Sequence, residues 1–207
     1  MEILKRNVLF IVFFLWFSSA GISQDFNTEM EAFQESYLQE ASGEVVKAAE
    51  ALKKVYREDS YEQNLRLGWL TYQAGQFSES LAFYNKAVSL KPMAIEAKFG
   101  YVYPASAMGN WEQVITQYKK ILEICPNNST ANHRLGLIYY GREQYDVAYK
   151  YFEKVVNLYP FDLDALLMFG WTNLKMHKVR EAKVLFQKAL LHTPGGSSAL
   201  DGLELVK

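Results

Sequence analysis

Residues 129–162 read STANHRLGLIYYGREQYDVAYKYFEKVVNLYPFD, and the same phase returns on both sides of them. Four of the five prolines are Pro92, Pro126, Pro160 and Pro194, spaced 34 residues apart. Other residues keep step with the prolines. One column holds Leu67-Gly68, Tyr101-Val102, Leu135-Gly136 and Phe169-Gly170, and another holds Phe77, Trp111, Tyr145 and Val179. A third is Ser80, Val114, Ala148 and Ala182, a fourth Tyr84, Tyr118, Phe152 and Phe186, a fifth Ala87, Ile121, Val155 and Ala189. An internal period of this length is the mark of a repeat architecture.

Within one period the pattern resolves into two helices. Apolar residues recur at three- and four-residue spacing from Asn64 to Ala74 and from Ser78 to Leu90, with Gly75 between the two segments. Pro92 follows the second segment closely, where it cannot continue a helix. Gly68 and Ser80 are small enough to let the two helix axes approach, while Leu67 and Tyr84 fill the space left over. A single hairpin of this kind cannot bury its own apolar face, so it must stack on the next.

These columns closely resemble the tetratricopeptide-repeat family, whose unit runs Leu-Gly, Tyr, Gly, Tyr, Ala, Phe or Tyr, Ala, Pro. Segment 129–162 carries Leu135, Gly136, Tyr139, Tyr145, Ala148, Phe152 and Pro160 of that pattern. The resemblance covers 61–94, 95–128, 129–162 and 163–194. It implies an all-α fold, a right-handed superhelical solenoid of stacked antiparallel helix hairpins. Phe26–Gln39 and Glu44–Tyr56, broken at Ser42-Gly43, read as a further hairpin within 24–60 that caps the N-terminal end. Ala48, Leu52 and Val55 stand there as a degenerate second helix, with Ser60 where the proline would sit. After the breaker Gly195-Gly196, Ser197 or Ser198 N-caps a short helix reaching Val206, so that 195–207 closes the other end.

Segment 95–128 departs from the pattern. Val102, Val114 and Ile121 occupy small-residue columns, and Pro104 is the one proline out of phase. A proline inside a helix removes a backbone hydrogen bond and clashes with the preceding turn. The sequence therefore predicts a kink or bulge between Gly100 and Pro104, and it admits Phe99-Gly100 as a displaced Leu-Gly pair. Drift in a tolerant repeat accounts for the same residues.

Lys5 and Arg6 precede an apolar run, Val8–Phe17, and then Ser18-Ser19-Ala20-Gly21-Ile22-Ser23. Basic, apolar and small residues in that order predict a secretory signal peptide over 1–23, cut before Gln24, with a second site before Gly21. Even extended to Ile22, the run is shorter than the ~20 residues a membrane-spanning helix needs, so no stable span is expected after cleavage. The leader points to export, to the periplasm of a Gram-negative bacterium. One cysteine, Cys125, leaves no internal disulfide framework, so packing must hold the fold. A net charge of −1 from 22 basic and 23 acidic residues disfavours nucleic acid as a partner.

No HExxH, CxxC or phosphate loop is present, and His133, His177 and His192 are not at metal-ligand spacing. Cys125 has no basic neighbour in sequence to activate it. No enzyme, metal or cofactor is expected. Asn127-Asn128-Ser129-Thr130 contains two overlapping glycosylation sequons, but Asn128 also stands where the next helix needs its N-cap, and the cap is the preferred reading.

In the family the first helix of each hairpin lines the concave face. Carried over by column, the resemblance assigns to it Leu65, Phe99, His133 and Leu167, then Trp69, Tyr103, Leu137 and Trp171, then Tyr72, Ser106, Tyr140 and Leu174. The lysine and asparagine with which chaperone-binding members clamp a carboxylate are replaced by Leu65 and Trp69. These columns either bind a protein or peptide partner or pack as core, and the sequence leaves both open. Two functions follow: a protein-binding scaffold holding a peptide or helix in an aromatic groove, or a structural subunit docking by its convex face or ends.

Overall fold

A computed structural model describes residues 25–207. The expected signal peptide, its cleavage sites and residue 24 lie outside them. Among the described residues there are eleven helices and no strand. They divide into two compact units, one ending at Gly109 and the other running Asn110–Lys207. The division falls at the turn inside the expected repeat 95–128.

The first unit contains α1 (25–41), α2 (Val45–Lys53), α3 (Tyr61–Gln73), α4 (Phe77–Leu90) and α5 (Ile95–Ala107). From α2 onward each helix packs on the next, and α3 also touches α5, so first helices of successive hairpins lie side by side. The second unit repeats the scheme with α6 (Trp111–Ile124), α7 (Ser129–Gly141), α8 (Tyr145–Leu158), α9 (Leu163–Lys175), α10 (Val179–His192) and α11 (Ser197–Glu204). There α7 touches α9, and α9 touches α11.

The repeat columns explain this packing. Tyr84 and Phe186 are buried aromatic rings wedged between two glycines each. A Cβ on Gly68 would sit 2.9 Å from the Tyr84 ring, and a Cβ on Gly170 or Gly202 would sit 2.8 or 2.5 Å from the Phe186 ring. Those distances are below van der Waals contact, so only a glycine lets the neighbouring helix come this close. The Ser80 hydroxyl donates to the Gly68 carbonyl at 2.6 Å, tying α4 to α3 at the same point.

Helix α5 runs without a break through Pro104, and no residues are bulged out of it. A Cβ on Gly100 would overlap the Tyr84 ring, and Val102 keeps its place in the Leu-Gly column as a buried residue. Gly100 is therefore not a displaced column residue; it provides the close approach of α5 to α4, as Gly202 does for α11 on α10. The ends need two smaller corrections. Ser60 is the N-cap of α3, its side chain accepting from the Gln63 N–H, and Gly196 rather than Ser197 or Ser198 precedes α11. Asn128 does cap α7, accepting from the Ala131 N–H at 2.9 Å.

The turn inside each hairpin carries one residue in the left-handed region: Gly43 (φ 80°), Gly75 (75°), Gly109 (73°), Glu143 (60°) and His177 (60°). Glycine takes that conformation freely, whereas a side chain with a Cβ is strained there. Glu143→Gly and His177→Gly should each raise the unfolding free energy, by roughly 0.5–1 kcal/mol. Urea unfolding of the two variants checks this, and a loss of stability in both would contradict it.

Candidate functional site

In the first unit α3 and α5, with the start of α4, carry a wall of aromatic rings. The rings of Trp69 and Tyr72 lie 6.0 Å apart, Trp69 and Tyr103 6.1 Å, and Tyr72 and Tyr103 5.4 Å, with Phe77 5.8 Å from Tyr72. Spacings this short mean the rings pack on one another, leaving no cage between them. Tyr103 is 49% exposed at its edge. Trp69 is anchored from below, packing on the cluster of Leu52, Leu67 and Leu70 while its indole N–H donates to Glu40 at 2.8 Å. The other Glu40 oxygen accepts from Arg66 at 2.5 Å, and the Arg66 guanidinium lies 3.9 Å from the centre of the Tyr37 ring. Burial pushes the Glu40 carboxyl up, but the hydrogen bonds from Arg66 and Trp69 and the Arg66 charge outweigh it and hold the group below the usual carboxylate range.

In the second unit the first helices of successive hairpins, α7 and α9, border an open cleft of about 770 Å³. Its apolar lining comes from Leu137, Leu167, Met168, Trp171 and the base of α8, and its ionised groups are Arg134 on α7 and Asp162 and Asp164 at the start of α9. Asp162 also caps α9, one oxygen accepting from the Ala165 N–H at 2.8 Å. At the other end Trp171 packs edge-on against Phe186 at 5.1 Å, and its indole N–H donates to the Ser198 hydroxyl of α11 at 2.9 Å.

His133 lines the same cleft with its Nε2 buried and without a hydrogen-bond partner. Burial lowers its pKa below the ordinary histidine value; the charges of Asp162 and Asp164 oppose this, and Arg134 adds to it. A folded pKa below the unfolded one means that the unfolded chain binds the proton first. Stability from this group is complete above about pH 6.5 and is lost as pH falls from there toward the lowered folded value. His133→Gln should remove that step from the curve of unfolding free energy against pH, and an unchanged curve would refute the assignment.

Residues 129–162 and 64–92 each match a model of the tetratricopeptide repeat. The chain contains tetratricopeptide repeats. It is 27% identical over 167 residues to TPR repeat-containing protein YpiA of Bacillus subtilis, a match covering 79% of this chain and 39% of that one, so the chain spans about two fifths of this relative's length. A tetratricopeptide repeat protein from Parabacteroides merdae superposes with a TM-score of 0.75 at 22% identity, over 86% of this chain and 72% of that one. MamA gives a TM-score of 0.71 at 22% identity (80% and 91% of the two chains). YrrB, described as a TPR protein with an unusual peptide-binding site, gives 0.67 at 22% identity (76% and 82%). At these identities the likeness is one of fold.

On the tetratricopeptide frame, none of the residues assigned to the concave columns is fully buried. Trp69, Tyr72 and Tyr103 form the wall in the first unit, where Leu65 packs against the cluster of Tyr61, Ala87 and Ala97. Phe99 and Ser106 are half-buried on α5. His133, Leu137, Leu167 and Trp171 come together in the cleft of the second unit. Tyr140 is turned edge-on to Tyr145 at 5.3 Å, and neither it nor Leu174 reaches the cleft.

Sequence columns at a period of 34 missed Tyr37. The first hairpin is two residues shorter after its turn, between Gly43 and the N-cap Ser60: Gly43 precedes Gly75 by 32 residues, and the same offset sets buried Ser36 against Gly68 and Tyr37 against Trp69. That glycine spacing was the available signal. Tyr159, Asp162, Asp164 and Ser198 were missed because they reach the cleft from helix ends and from α11, and Arg134 because it stands within α7 but outside the assigned columns. Among the described residues no group of His, Cys, Asp or Glu is placed to hold a metal, and no helix is long and apolar enough to cross a membrane.

Proposed function

We propose that this tetratricopeptide-repeat protein is a non-enzymatic scaffold that holds a partner peptide or helix against the aromatic wall of its first unit, the cleft of the second unit being a separate candidate site. The observation that carries the reading is the contiguous Trp69, Tyr72 and Tyr103 cluster with Tyr103 half exposed at its edge. Rigid aromatic side chains left in water on one face are the usual anchors of protein interfaces. The fold is a protein-interaction fold, and YrrB, which shares it, has a peptide-binding site. The leader sequence supports export and a place in the cell envelope. Selection of a displayed peptide library on the full chain, repeated on Tyr103→Ala, tests the reading. Sequences enriched by the parent protein and lost with the variant support it, and enrichment indifferent to Tyr103 counts against it.

A second reading, a structural subunit docking by one end, is favoured by the exposed apolar side chains of Phe26, Met30, Leu38 and Val46, all on the first hairpin. Sedimentation of the purified chain separates the two, because a monomer fits the scaffold and an obligate oligomer fits the subunit.

A further inference from the structure

We infer that the cleft of the second unit takes a partner segment in which an apolar side chain adjoins a single lysine or arginine, with the apolar group on Leu137, Leu167 and Trp171 and the cation at Asp162 and Asp164. This rests on the scaffold reading above and adds the chemistry of what one site selects.

The argument begins with the lining. Leu137 on α7 and Leu167 and Trp171 on α9 supply an apolar floor. Trp171 is fixed there by Phe186 and by Ser198, so the floor is rigid before any partner arrives. A preformed cleft of mainly apolar lining with a few placed polar groups is what a side chain is bound in.

The ionised groups of the lining are two carboxylates and one guanidinium, while His133 is kept neutral by burial. Both carboxylates lie on one wall, within the first turn of α9 and its cap. The positive end of the helix dipole there amounts to about half a charge, so two full negative charges dominate. A cation is attracted to this wall and a carboxylate is repelled. Arg134 on α7 has the opposite effect on any further basic residue, so the preference is for one cation and not for a polybasic run. Exposed nucleic-acid phosphates are repelled by the same pair.

The test uses the full chain and three fluorescein-labelled peptides of Gly and Ser, each with a central leucine followed by lysine, glutamine or glutamate. Asp162→Asn together with Asp164→Asn removes both charges while leaving asparagine as an N-cap acceptor, so the helix start is retained. Fluorescence anisotropy should show the lysine peptide binding about tenfold more tightly than the glutamate peptide. In the double variant that ratio should collapse to about one, with the glutamine peptide unchanged. Equal binding of lysine and glutamate peptides, or a ratio untouched by the double variant, overturns the inference. If the glutamine peptide still binds and Leu137→Ala weakens it, the scaffold reading survives that failure. If no peptide binds, the inference falls, and the library selection with Tyr103→Ala judges the scaffold reading separately.

Discussion

Phe186→Ala should lower the unfolding free energy by about 3–5 kcal/mol, the largest loss expected from any single truncation in the second unit. The side chain is fully buried, and its ring meets Gly170 of α9, Gly202 of α11 and the edge of Trp171. Removing a ring from between glycines is costly because they have no side chains with which to fill the void, and the flanking backbones are held by their own helices. The loss should be greatest in α11. This helix of eight residues is fastened mainly by Ala199, Gly202, Val206 and the bond from Trp171 to Ser198. Urea unfolding gives the free energy, and amide hydrogen exchange shows whether α11 opens first. A loss under about 1 kcal/mol would mean that the ring is not the wedge described.

Tyr103→Ala should weaken binding of a selected peptide by about 2 kcal/mol or more, roughly thirtyfold, while changing stability by less than about 1 kcal/mol. The ring stands at the edge of the wall, half exposed, so truncation removes contact area for the partner and little of the core. Trp69→Ala is the comparison. It should reduce affinity as well, but with a measurable stability loss, since Trp69 packs on Leu52, Leu67 and Leu70 and bonds Glu40. Isothermal titration and thermal melting on the same preparations separate the two effects. If Tyr103→Ala destabilises the protein and leaves affinity unchanged, the wall belongs to the core.

The fold was legible because a hairpin repeat writes its packing into the chain at fixed intervals. The prolines at 92, 126, 160 and 194 mark the ends of α4, α6, α8 and α10, and Gly68, Gly136 and Gly170 stand at close approaches between the two helices of a hairpin. Legibility failed where the period failed. The short first hairpin shifted Tyr37 out of its column, and in the repeat 95–128 Gly100 read as a displaced column residue although it packs against the preceding hairpin. A periodic rule states which residues are equivalent, and it says nothing about a position whose neighbour comes from outside the unit.

The same distinction divides the candidate site. Sequence alone determined that Trp69, Tyr103, Leu137 and Trp171 occupy equivalent places on first helices, since their spacing of 34 residues permits nothing else. Their fates differ for reasons only the tertiary structure decided. Trp69 is tied to Glu40 of the first hairpin, Tyr103 is left half exposed, Leu137 floors a cleft, and Trp171 is captured by Ser198 of the terminal helix. Equivalence is a local property, carried by the helical period of each segment. Exposure depends on what segments 27 or more residues away lay over the ring, and that follows only from how the hairpins stack.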